Sequence, residues 1–74
     1  MSRDISNRIE YTVMCISGFA ERHAISLFES YSYLKQYGGL DFLKDFYDVE
    51  HLLSIRDAVN DLTTLCQKQG GQIA

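Results

Sequence analysis

Asp48, Glu50 and His51 form the densest polar cluster of this 74-residue chain. A carboxylate beside an imidazole can pass a proton, or can offer two ligands to a divalent metal. A metal site needs three or four protein groups converging on one point. On a helix, Asp48 and His51 stand three apart and share a face, whereas Glu50 points elsewhere. The other histidine, His23, follows the first helix and has no predictable proximity. Two ligands on one face are too few. The cluster therefore reads as a structural polar centre of Tyr47, Asp48 and His51, with His51 semi-buried near a helix end and its tautomer set by Asp48 or a carbonyl. A metal-dependent enzyme using Asp48 and His51 is kept as the last alternative.

Nucleophilic chemistry finds less support. Cys15 and Cys66 fall on apolar helix stripes, and a thiol buried among apolar groups is a poor nucleophile. They read as reduced structural cysteines; the residual alternative is a bond between them that links the first and last helices. The glycine pairs Gly38-Gly39 and Gly70-Gly71 lack the pattern and the lysine of a phosphate loop. No catalytic residue, metal ligand or cofactor-binding residue is assigned, and the chain reads as a non-enzyme without a cofactor.

The elements that position these residues are helical. Ile5, Ile9, Val13, Ile16 and Ala20 recur at steps of three and four, one face of a helix over about 5–22. Tyr11, Met14, Cys15 and Phe19 widen that stripe. Gly18 inside it costs about 1 kcal/mol relative to alanine, which suggests either a close crossing by another helix or a local kink. Ser26 and Glu29 have capping-box spacing for a second helix over about 27–37, with Leu27, Phe28, Tyr31 and Leu34 inward. Gly38 ends it in the left-handed region. Tyr31, Tyr33 and Tyr37 suit a stacking or peptide-binding surface, or more simply rings half in the core with wet hydroxyls. A third helix over about 41–50, capped by Asp41, carries Phe42, Leu43, Phe46 and Tyr47; with Leu52 these plug a small core. Ser54 starts the fourth, about 55–69, where Ile55, Ala58, Val59, Leu62, Leu65 and Cys66 form a three-and-four stripe that Gly70-Gly71 ends. The expected architecture is all-α, a compact bundle of four short helices in one domain, 1–74.

Composition limits the function. Apolar residues make up 46% and charged residues 23%, which is globular rather than disordered. A chain of this mass gains about 115 kcal/mol by burying apolar surface, against about 110 kcal/mol for ordering its residues. The two cancel, so a homodimer or a partner protein covering further apolar surface would be a reasonable source of added stability. The net charge is −3, and the seven basic residues form no run. Nucleic acid and anionic membranes both need a positive surface, so neither is an expected partner. A helix-turn-helix reader would have to present Asp41, Asp45, Asp48 and Glu50 to phosphates. The alternative function, a dimeric nucleic-acid-binding regulator, requires a positive face from Arg3, Arg8, Arg22 and Arg56. No apolar run reaches the ~18 residues of a membrane span, and the first residues lack a signal-peptide layout, so a cytoplasmic location is expected.

Asn7-Arg8-Ile9-Glu10-Tyr11, then Phe46 to His51 with Leu53-Ser54, and the closing Cys66-x-x-x-Gly70-Gly71 resemble a family of small bacterial proteins grouped as a domain of unknown function. That family carries a Y-[DG]-x-L-H-T-like core, matched here by Tyr47, Asp48 and His51. The chain departs from it at Glu50 and Leu52, which puts in doubt any role for a hydroxyl beside His51. The resemblance implies an antitoxin or accessory role, because such proteins are typically encoded beside a small reading frame similar to an ADP-ribosyltransferase-like toxin. It implies no catalytic residues. The expected function is a small helical protein-interaction module whose partner is another protein, encoded by an adjacent gene. The expected contact surface joins the exposed edge of the third helix to nearby tyrosine, through Tyr37, Asp45, Asp48 and Glu50, with charge speeding encounter and aromatic groups holding the complex.

Overall fold

The computed structural model of the chain describes residues 3–72. Five α-helices lie within them, α1 (Arg3–His23), α2 (Leu27–Gln36), α3 (Gly39–Asp45), α4 (Tyr47–Glu50) and α5 (Ile55–Lys68), and no strand among the described residues. The expected small all-α bundle is the architecture found. α1 is the spine: it packs on α5 along one side and on α2 along another, and α3 closes the end against α2.

Local chemistry sets most of the boundaries. Ser26 Oγ accepts from the Glu29 amide and the Glu29 carboxylate accepts from the Ser26 amide, both at 3.0 Å, so two free donors at the start of α2 are satisfied reciprocally. Ser54 Oγ accepts from the Asp57 amide at 3.1 Å and starts α5. Gly38 and Gly70 follow α2 and α5 with φ of 84° and 93°, a region a side chain disfavours. Gly18 marks a close crossing rather than a kink. A Cβ there would stand 2.9 Å from Ile55 Cγ2 and 3.2 Å from Val59 Cγ2, so α5 approaches α1 closely because that position is bare.

The core is built by Cys15 and Phe19 from α1, Leu34 from α2, Leu43 from α3, and Ala58, Val59, Leu62 and Cys66 from α5. Both cysteines are buried and free, so there is no bond between them. Burial pushes both thiols up, as expected for inert cysteines. Ser30, fully buried at the α1–α2 crossing, donates to the Ile16 carbonyl at 2.8 Å. At the far end of α1, Arg22 donates to Asn60 at 2.6 Å. Thr63 Oγ1 gives its proton to the Val59 carbonyl, so its 3.1 Å contact with His23 Nε2 is a bond donated by the imidazole.

Three expectations are corrected. The inward face of α1 is Tyr11, Cys15 and Phe19, while Ile5, Ile9 and Val13 lie largely in water. Both sets have i, i+4, i+8 spacing and are about 120° apart around the helix, and α5 and α2 cover only the first. On α2 likewise, Ser30 and Leu34 point inward with Tyr33 and Tyr37 beside them, whereas Leu27, Phe28 and Tyr31 are exposed. Finally, the helix expected over 41–50 is two pieces, and Asp41 is not its cap. α3 begins at Gly39 behind Gly38, and the chain leaves helical geometry at Phe46, with φ −113° and ψ 21°. A continuous helix would set Asp48 and Glu50 at its negative C-terminal end; the break puts them in the first turn of α4, where carboxylates are favoured. As a result Leu43 alone is buried; Phe42 and Tyr47 are half-buried, and Phe46 and Leu52 are exposed.

Candidate functional site

α4 brings Tyr47, Asp48 and His51 together on the surface. The His51 ring stacks on Tyr47, centroids 4.4 Å apart and nearly parallel, and His51 Nδ1 lies 2.6 Å from the Tyr47 carbonyl. A carbonyl only accepts, so Nδ1 carries the proton. A carbonyl does fix the tautomer, but His51 is exposed rather than semi-buried. Asp48 turns to Arg8, 3.7 Å away, and away from the imidazole. Arg8 also pairs with Asp4 at 3.0 Å and lies 4.4 Å over the Tyr47 ring, a cation–π contact. Among the described residues no group of three or more His, Cys, Asp or Glu is placed to hold a metal ion.

The other expected contact residues scatter. Asp45 is exposed at the end of α3. Tyr37 leans on Tyr33, ring centroids 4.8 Å apart, and borders a separate hollow with Phe28 and Gln72. Glu50 is withdrawn from the surface altogether, only 5% exposed, because it turns inward from α4 toward Asp61 of α5. Its Oε1 and the Tyr11 hydroxyl are both buried, with the Asp61 carboxyl and the Cys15 thiol as their respective polar neighbours. Burial first, then the Asp61 carboxyl beside it, pushes Glu50 up to about 7. Glu50 therefore holds its proton to higher pH than an exposed glutamate, because a buried carboxylate beside a second carboxyl ionises at a cost. Burial, Cys15 and Glu50 together raise the Tyr11 hydroxyl, so it stays neutral.

The more informative feature is a groove that charge patterning does not reveal. Between α1, α2 and the α3–α4 corner lies an open trough of about 450 Å³. Ile9, Val13 and Ile16 form its floor, and Tyr31, Leu43 and Tyr47 its walls. Arg8 and Lys44 stand at its rim. Ile9 and Val13 are 50% and 55% exposed. These are the α1 residues whose periodicity reads as core, and the helices of this chain leave them uncovered. A trough of this kind can hold apolar side chains or an apolar ligand. Sequence reasoning missed it as a site, although the second stripe on α1 was the available signal.

No helix among the described residues is long and apolar enough to cross a membrane. No curated protein and no solved structure matches the chain. A family model matches residues 10–69, from within α1 to just past the end of α5; the chain belongs to the family described as Protein of unknown function (DUF3791).

Proposed function

We propose that this chain is a small helical protein-interaction module and that the α1 groove is its docking face. The observation that supports this most is the second apolar stripe of α1. Ile9 and Val13 have the spacing of a core face and lie in water, beside Tyr31 and Tyr47. Leaving such groups exposed costs stability unless something covers them. The arrangement favours binding over catalysis: the trough is apolar, the thiols are buried, and Asp48 and His51 do not converge. A helix laid in the trough could seat apolar anchors at i, i+3 or i+4, and i+7 between Tyr31 and Tyr47.

Within that class, the accessory or neutralising role implied by the family resemblance is the form we favour, with the partner encoded next door. Co-expression of the tagged chain with each neighbouring product tests it. A partner should co-elute at micromolar concentration and be lost from V13D. Separate elution of every neighbouring product would remove the antitoxin-like role. Nucleic-acid binding finds no support in charge placement, since Arg8 is held by Asp4 and Asp48 and Arg22 is turned to Asn60.

A further inference from the structure

We propose that the groove face is closed by a second copy of this chain, related by a two-fold axis, with Ile9, Val13 and Tyr31 buried between the copies. This occupant presupposes the docking face proposed above, and a neighbouring partner would bind there by displacing the second copy.

Stability gives the first reason. Chains near this length have small cores, to which disulfides, a metal or association can add stability. Here Cys15 and Cys66 are free, and no metal-binding group of residues exists among the described residues. Association is one way to add apolar burial to a core of this size. The molecule measures 37 × 22 × 20 Å, so one broad face offers on the order of the ~800 Å² that each partner gives to a standard interface. α1, the longest helix, carries the uncovered stripe.

Charge gives the second reason, because this rim can meet its own image. A two-fold interface presents the same patch to itself, so a rim of a single sign would repel its own image. This rim is balanced. Arg8 and Lys44 stand against Asp4 and Asp48, on a chain that elsewhere carries the acidic excess. The Asp48 side chain is 89% exposed and held only loosely by Arg8 at 3.7 Å. An exposed pair of that length stabilises little, so its members can re-pair across the axis at small cost. Arg8 of each copy then meets Asp48 of the other around a dry centre.

Sedimentation equilibrium of the full chain, from about 1 to 100 µM, tests this over the range where a standard-size interface assembles. The expected mass rises from 8.5 kDa toward twice that value, while V13D stays at the lower mass with its helical signal intact. R8E and D48R are surface changes that keep the fold, and each should weaken self-association about tenfold. Mixed together, they should form a heterodimer in preference to either homodimer, which only a contact between chains can produce. A chain that remains monomeric at the highest concentration, a V13D dimer, or a mixture without preference would each overturn the second copy. If the wild-type chain is monomeric while V13D still loses a co-expressed partner, the copy is overturned and the docking face stands.

Discussion

Glu50 of α4 buries its carboxyl against that of Asp61 in α5, so a four-residue helix is tied to the bundle by a group that sits there comfortably only while protonated. Glu50 rises from 4.5 to about 7 on folding. Between those values the folded chain holds more protons than the unfolded one, so this group's contribution falls as pH rises through that window and is constant above it.

E50Q removes that dependence. Glutamine keeps the shape and a donor for Asp61 but has no proton to lose. Wild type should lose on the order of 2–3 kcal/mol relative to E50Q between pH 4.5 and pH 8. Urea unfolding of both proteins across that range gives the difference. His23 works in the opposite direction, because burial lowers it and its contribution rises with pH, but it is common to both proteins and cancels. Parallel pH profiles would show that Glu50 is ionised in place.

G18A tests the close crossing of α1 and α5. Alanine gains about 1 kcal/mol of helix propensity. Its Cβ meets the Cγ2 methyls of Ile55 and Val59, and β-branched side chains cannot swing aside by rotating χ1 freely. Overpacking costs about 1–3 kcal/mol. The expected result is a net loss of about 1 kcal/mol, seen as a lower urea midpoint at unchanged slope. A gain in stability would mean the helices are further apart than described.

S26A removes one half of the α2 capping box. It should cost about 1 kcal/mol in the same unfolding measurement, without altering self-association, because Ser26 is not part of the groove lining. An association defect in S26A would place α2's first turn in the interface.

Local signals carried the fold a long way. Ser26–Glu29, Ser54, Gly38 and Gly70 each act over three or four residues, so the ends of α2 and α5 were legible. What failed was any choice that depends on a neighbour. Tyr11-Cys15-Phe19 and Ile5-Ile9-Val13 have identical spacing on α1, and only the positions of α2 and α5 decide which is covered. The corner at Phe46 has no glycine or proline to announce it. Glu50 counted as a surface charge, since its protonation comes from Asp61, eleven residues on and in another helix. Tyr47 and His51 stack on each other, but the partner of Tyr47 and Asp48, Arg8, comes from the start of the chain.

The central claim is that the Ile9–Val13 face of α1 serves association and not the monomer's own core. Thermal unfolding of V13D, followed by circular dichroism at a dilution where the wild type is monomeric, tests it most directly. V13D should keep full helicity and a stability within about 0.5 kcal/mol of wild type, and should lose association at higher concentration. Collapse of the fold at that dilution, as a buried aspartate in place of Leu62 would cause, would contradict it.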